Sequence, residues 1–473
     1  MTVIDAASWY RQNNGRRVNR RRLLGVAGAT GAGLGISLKF NSRASAQSTP
    51  TSTSDLAAAL SEWGFNATET NPLAFARLQA FQAAYPGVTL EISPESDVQR
   101  ILTAAVSDTL PDLLWLGREI LNSYVSRGQV LRPIDDLVGR DGYDTSRFYP
   151  SAIKEASPGG QLYGIPGGMD VVAMWANTDA LAEAGITDPT QLNTSDWDQL
   201  TALGTQLTRK NGDAVERWGF DSKMQDGQFY TWALANGAVL LGGDDGQQPN
   251  FNSAEVANLL NRAKASYDSQ GGYQSYEAVR SSWQNDEQFA RGQVAITAYQ
   301  NWLGNINATT TPNLNFAVLP IRPANDPNGI AAVAGGASWC ITADSKNVDA
   351  AWEFIKFMHS DETWMIGAQA VRAARDAAGA PYLPSLTGVP VVDQRQIDEL
   401  YTPIAPQFDN AVQLFPQILA ASTTRALSPS PYAQQLDQIL FQTGVLPALR
   451  GERPVQDALD AAQSEAEAAV SGF

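Results

Sequence analysis

Cysteine and histidine are almost missing from this chain: there is one of each in 473 residues, Cys340 and His359. A single cysteine cannot close an internal disulfide, and one of each is too few for a His/Cys zinc site. A Ser-His-Asp triad would rest on His359 alone, which falls in a helical stretch, Asp349–Ser360, where a surface or core position is the ordinary reading. Positive charge is scarce as well. Lys and Arg number 33 against 49 Asp and Glu, for a net charge of −16. Eight of the basic residues and a single acid, Asp5, lie in the first 46 positions, so the remainder holds 25 basic and 48 acidic residues, net −23. Such a body repels nucleic acid and anionic lipid at long range. No apolar run reaches the roughly 20 residues needed to span a bilayer. There is no phosphate-loop signature and no GxSxG elbow.

The N-terminal segment reads as an export signal. Asn19-Arg20-Arg21-Arg22-Leu23-Leu24 is followed by a short run of small and apolar residues, Val26–Leu38, and by Ala44-Ser45-Ala46, an A-x-A processing site. The paired arginines before Leu-Leu resemble a twin-arginine signal, with Asn19, Leu23 and Gly25 departing from that pattern. The spaced glycines of Ala27–Gly33 belong to this signal and not to a dinucleotide site. The expected mature chain starts near Gln47, after residues 1–46, with 47–54 as a disordered lead-in and no lipid-anchoring cysteine. It is expected to be soluble, without stable membrane insertion.

The rest has a globular composition, 44% hydrophobic and 17% charged, and a length that fits two or three domains. Asn71–Tyr85 is a helix stopped by Pro86-Gly87, Val88–Ile92 a strand, Val98–Asp108 a helix and Leu113–Leu116 an apolar strand. This alternation is an α/β pattern with parallel pairing. Val171–Trp175, Trp218–Phe220, Val294–Tyr299, Asn315–Pro320 and Ala337–Ile341 are further strands. Helices are expected over Thr194–Thr208 with Thr194 or Ser195 as cap, Ser253–Tyr267, Ser282–Arg291 and Val348–Ser360, and Gly242–Asn252 is expected to be a loop. The C-terminal part, from Gln396 to Val470, is mostly helical.

Twelve tryptophans stand out, several in turn-rich places. Indole stacks on the apolar faces of sugar rings, while hydroxyls need Asp, Glu, Asn, Gln and Arg as directed partners. Core packing competes with that role at every tryptophan, most of all at Trp352 and Trp364 inside helices. Paired carboxylates could also serve a glycosidase, but spacing singles out no pair.

Several segments together resemble the extracellular solute-binding proteins of ABC importers, in the sugar-binding group that includes maltose-binding protein. They are Phe81–Leu90 (FQAAYPGVTL), Leu110–Trp115 (LPDLLW), Gly128–Leu137 (GQVLRPIDDL), Gly160–Pro166 (GQLYGIP) with Val171–Asn177, Phe289–Ala298 (FARGQVAITA), Gly335–Ile341, Ala350–Ser360 and Arg453–Ala461. The resemblance covers nearly the whole mature chain. It implies the two-lobe type II fold of the periplasmic binding proteins, α/β in class, with a hinge between the lobes and helices at the C-terminus. Lobe one is expected over 55–170 plus 333–385, and lobe two over 171–332 plus 386–473. It also implies a monomer with no catalytic step and no cofactor or metal, which captures a mono- or oligosaccharide in the cleft and delivers it to a membrane permease, on the outer side of the cell membrane.

Residue by residue, the resemblance points to Glu62 and Trp63 at the end of strand one, Arg118 and Glu119 after the Pro-Asp strand, and Asp170 at the crossing. It adds Tyr230 and Trp232 in the helix after Trp218–Phe220, then Trp302, Trp339 and Arg372. The tryptophans would stack on rings; Arg118, Glu119 and Asp170 would bond hydroxyls with charge assistance. Alternatives stay open: the same fold around a polyamine or glycerol phosphate, a secreted carbohydrate-active enzyme, or an exported adhesion or scaffold protein. The first strand is the obscure element, since Leu56–Phe65 lacks a β-branched run.

Overall fold

The computed structural model describes residues 56–471 apart from 127, 129, 213, 244, 245 and 284–286. The expected export signal and lead-in lie outside the described residues. Thirteen strands follow one another among these residues. The first five are β1 (Ala58–Trp63), β2 (Val88–Ser93), β3 (Leu113–Gly117), β4 (Gly164–Pro166) and β5 (Asp170–Asn177). Then come β6 (Arg209–Asn211), β7 (Ala214–Asp221), β8 (Leu241–Gly242) and β9 (Gln248–Pro249). The last are β10 (Val294–Gln300), β11 (Phe316–Leu319), β12 (Ala334–Gly335) and β13 (Ala337–Ile341).

Two mixed sheets result. The first has the order β2-β1-β3-β13-β4, and the second β11-β5-β10-β7-β6 with β12 on the side of β5. In the first, β1 runs parallel to β2 and β3, while β13 runs antiparallel to β3 and β4. In the second, β10 is parallel to β7 and antiparallel to β5. The strands in the middle of the sheets, such as β5 (DVVAMWAN) and β13 (ASWCI), are apolar and buried along their length, as strands covered on both faces must be. The obscure first strand forms because Ala58–Trp63 is clasped on both edges, by β2 and by β3. Pairing on two sides overrides its weak intrinsic preference.

Helix starts follow the side chains able to cap them. Asn71, Asp97 and Asn177 each accept a hydrogen bond from a first-turn amide, so helices begin at Pro72, Val98 and Thr178. The expected Thr194 or Ser195 cap is corrected to Asp196, whose carboxylate takes the amides of Asp198 and Gln199 at 3.0 Å. The expected helix over Ser282–Arg291 is also corrected. The helix there is Tyr273–Ser282, and Glu287–Gly292 forms turns. Gly242–Asn252, expected as a loop, contains the two-stranded β8–β9 hairpin.

Each sheet has its own core. One gathers Leu60, Leu113, Leu116, Trp339, Phe354 and Ile355 around the first sheet, and another Trp197, Trp218, Phe220, Trp232, Leu259 and Leu459 around the second. A third, with Trp175, Phe289, Phe316, Phe408 and Phe415, covers the other face of β5. Val389 and Val392 pack into the first core. The chain crosses between the sheets at Pro166–Asp170 and returns at Gly335–Ala337, where β12 pairs with β5 and β13 with β4. No described helix is long and apolar enough to cross a membrane.

Candidate functional site

In open α/β sheets, ligands bind beyond the carboxyl ends of the strands. Those ends carry half of the residues singled out in the sequence. β1 ends at Trp63, and β3 at Gly117, directly before Arg118 and Glu119. In the second sheet β7 ends at Asp221, two residues before Lys223, and β10 ends at Gln300, two residues before Trp302.

Between the sheets lies a group of charges, buried at Arg118, Glu119 and Glu155 and half-buried at Asp170, Arg425 and Asp437. Arg118 pairs with Glu155 across 3.3 Å, both side chains essentially without solvent contact. The Glu155 carboxylate also accepts from Ser428 Oγ at 2.6 Å and from the Arg425 amide at 3.2 Å. The Arg425 guanidinium stands 5.0 Å from the ring centre of Tyr230, whose hydroxyl donates to Asp437 at 2.5 Å. Glu119 interacts electrostatically with Arg425, and Asp170 with both arginines. Burial pushes the carboxyls of Glu155, Asp170 and Asp437 above their ordinary range, against the pull of Arg118 and Arg425. Burial would weaken the Arg425 cation; the surrounding Glu119, Tyr230, Asp437 and Glu155 outweigh it and keep it charged.

The structure thus brings together Arg118, Glu119, Asp170 and Tyr230. Arg118, however, has its donors committed. Besides Glu155, it reaches the carbonyls of Ala337 at 2.9 Å, Gly335 at 2.6 Å and Gly168 at 3.3 Å. It therefore clamps both crossing segments and is corrected from a ligand-bonding group to a fastener of the crossing. Gly336 leaves it room: its φ is +130°, and a Cβ there would meet the Gly168 carbonyl at 2.2 Å. Glu155, Arg425 and Asp437 escaped the sequence reading. They carry no local motif and meet only through the crossing, although Glu155 does lie just before the Gly160–Pro166 segment.

Elsewhere the aromatic set divides. Trp302 is half-buried and meets Tyr299 edge to face at 4.8 Å. Trp63 is also half-buried, with the Arg100 guanidinium 3.7 Å from its ring centre. Trp339 is fully enclosed by Phe65, Trp115 and Phe354, with ring centres at 4.7, 4.8 and 5.0 Å. Trp232 is a core residue against Trp197 at 4.9 Å, with its indole N–H on the Ser222 carbonyl. Arg372 lies on a helix surface, bonded to Asp376 at 2.9 Å and to the Leu400 carbonyl. Glu62 is buried, its carboxylate accepting from the Phe65 amide at 3.0 Å, and burial drives its carboxyl well above the ordinary range. Trp232, Trp339 and Glu62 are therefore corrected to structural residues, each buried and engaged in the packing or bonding of its own lobe, while Arg372 stays partly exposed on its helix. His359 is a buried core residue beside Phe148 and Trp364. Among the described residues no His, Cys, Asp and Glu gather as a metal site.

A family model for the bacterial extracellular solute-binding proteins matches residues 76–389. The chain belongs to this family. Among its relatives, a candidate binding protein of Brucella abortus (strain 2308) is 28% identical over 289 residues, 59% of this chain and 66% of that one. The lactose-binding protein of Rhizobium radiobacter is 24% identical over 301 residues, 60% of this chain and 66% of its own. This solute-binding protein thus spans about two thirds of the length of the curated relatives it matches. Among solved structures, CpMnBP1 with mannobiose bound superposes with a TM-score of 0.66 at 20% identity, over 86% of this chain and 99% of that one. The sugar-binding protein MalE from Xanthomonas citri gives 0.67 at 18% identity, over 88% and 98%. These likenesses establish the two-lobe fold.

Proposed function

We propose that this chain captures a carbohydrate between its two lobes and delivers it, chemically unchanged, to the permease of an ABC importer. The observation that carries the reading is the convergence of strand ends from both sheets on directed polar groups, buried at Glu119 and Tyr230 and half-buried at Asp170 and Arg425, with a half-buried tryptophan, Trp302, just past the end of β10. Hydroxyl-bonding groups beside an aromatic face suit a sugar ring. The names of the relatives, lactose-binding and mannobiose-bound among them, support the same class. The proposed lobes are 55–170 with 333–385, and 171–332 with 386–473. Because Val389 and Val392 pack in the first core, we move the last crossing to a point after Leu400.

Ligand bound only to the folded chain raises its unfolding midpoint by mass action. The test is thermal unfolding against lactose, maltotriose, mannobiose, diacetylchitobiose, glycerol phosphate and spermidine. A shift with a sugar, and no product formed, supports the reading; no shift with any sugar, or sugar consumed, overturns it. A cationic solute is the second reading, favoured by four carboxylates (Glu119, Glu155, Asp170, Asp437) facing two guanidiniums, and a shift with spermidine alone would select it. Export by the twin-arginine route is part of the same proposal. Replacing Arg20 and Arg21 by lysine is expected to stop secretion, and normal secretion of that variant would point to the general route.

A further inference from the structure

Lys223 is a cation just past the end of β7 that the family resemblance leaves unused, and its geometry is unusual. It is 3% exposed and takes a left-handed backbone, φ 52°, which a lysine adopts at a cost of about 1–3 kcal/mol. Asp221, with no exposure at all, compensates: it accepts the Lys223 amide at 3.0 Å and holds the ammonium at 3.3 Å. Two tyrosine hydroxyls, Tyr267 at 2.7 Å and Tyr276 at 2.5 Å, bind the same carboxylate. Burial alone would raise the Asp221 carboxyl; the Lys223 charge and the two hydroxyls outweigh it and hold it below its ordinary range. A buried ion pair braced in this way fixes geometry even where it adds little stability.

What it faces is the aromatic wall. The Lys223 ammonium stands 5.3 Å from the ring centre of Tyr299, and Trp302 meets that ring edge-on at 4.8 Å and 80°. Lys223 and Tyr299 also line one pocket with Gln288, Phe289, Thr297 and Leu303. Val294 completes a mostly apolar lining, in which the buried Gln288 amide has no hydrogen-bond partner among the described residues. Tyr299 is 7% exposed and packs in the third core; a small pocket adjoins its ring, and Lys223 brings a charge to the ring beside that space. We propose that Lys223 is a positioning residue of the ligand wall: held by Asp221, it fixes Tyr299 and, through Tyr299, the stacking face of Trp302. This inference rests on the carbohydrate reading for its consequence in binding, but the ring geometry it asserts exists without ligand.

The experiment therefore has two readouts on the full mature chain. The first is calorimetric affinity for the tightest binder among lactose, maltotriose, mannobiose and diacetylchitobiose, measured for Lys223→Met, Lys223→Arg and Trp302→Phe. The second is the fluorescence and iodide quenching of Trp302 without ligand, isolated by subtracting the Trp302→Phe spectrum in each background. The inference expects Lys223→Met to lose about tenfold in affinity and to shift the Trp302 difference spectrum, while Lys223→Arg restores both. An Asp221→Asn/Lys223→Met double variant removes both buried charges, and it is expected to fold and show the same two losses if Lys223→Met alone does not fold. An unchanged difference spectrum in Lys223→Met or in the double variant overturns the inference. Wild-type affinity in such a variant overturns it too, and leaves the carbohydrate reading standing. If the wild-type chain binds none of the four sugars, the carbohydrate reading fails, and the ligand-free spectrum alone decides the inference.

Discussion

At the scale of single residues, burial separates two kinds of polar group. Some, such as Arg118, have every direction committed to the chain's own carbonyls and carboxylates. Others, such as Asp393, report on pH. Asp393 is 2% exposed; its carboxylate accepts from the Thr387 amide and hydroxyl, both at 2.7 Å, yet burial raises the carboxyl to about 7. A folded-state value above the unfolded one means that the folded chain holds the proton longer. Below about pH 4 both states are protonated and the stabilisation is fully present. Between there and pH 7 only the unfolded chain ionises, so stability falls, by on the order of 4 kcal/mol in all. Denaturant unfolding from pH 4 to 8 should show this decline, and Asp393→Asn should flatten it. An equal slope in wild type and variant would contradict the assignment.

The sequence reading was weakest at this scale, for a reason visible in Trp339. Its place after Gly335-Gly336, in an apolar strand, fits a cleft position as well as a core one. The pleat decides between them by turning the ring toward Phe65 and Phe354. Trp302, by contrast, follows the end of β10 and is only half-buried. Glu155, Arg425 and Asp437 could not be read in advance, because nothing local marks an acid or a base whose partners the fold brings in from distant parts of the chain, as Glu155 meets Arg425 and Tyr230 meets Asp437.

At the scale of elements, the strands were the most legible part. Apolar runs bounded by Pro-Gly or Gly-Gly, such as Val88–Ile92 and Ala337–Ile341, lie within strands over nearly the same residues. Helix boundaries shifted where a capping carboxylate competed with a hydroxyl, as Asp196 did with Thr194 and Ser195. The packing of helix on sheet turns on small residues that no periodicity reveals. A Cβ at Gly219 in β7 would come within 1.9 Å of the Gly204 carbonyl in the helix Trp197–Leu207. Glycine at both points lets the helix lie directly on the strand, and this close contact helps to set the position of Asp221 two residues later. The site at the end of β7 thus depends on a contact one turn of strand away from it.

At the scale of the molecule, two sheets with separate cores are joined by adjacent crossing strands, the kind of architecture on which hinge motion rests. Arg118 and Gly336 fasten the crossing, while the charges of Glu119, Asp170, Arg425 and Asp437 gather beside it. A ligand biases such a body toward closure only by binding the closed form more tightly. The order of α/β units, and the resemblance carried by short motifs along the chain, made this architecture the most readable feature of all. The central claim is that the strand-end groups form one carbohydrate site. Its most direct test is calorimetric titration of the wild-type chain, Trp302→Ala and Glu119→Gln with the sugar that most raises the unfolding midpoint. The account predicts measurable binding by the wild type and a loss of tenfold or more, roughly 1.4 kcal/mol per tenfold, in each variant with little change in its unfolding midpoint. Equal affinity in all three chains would contradict it.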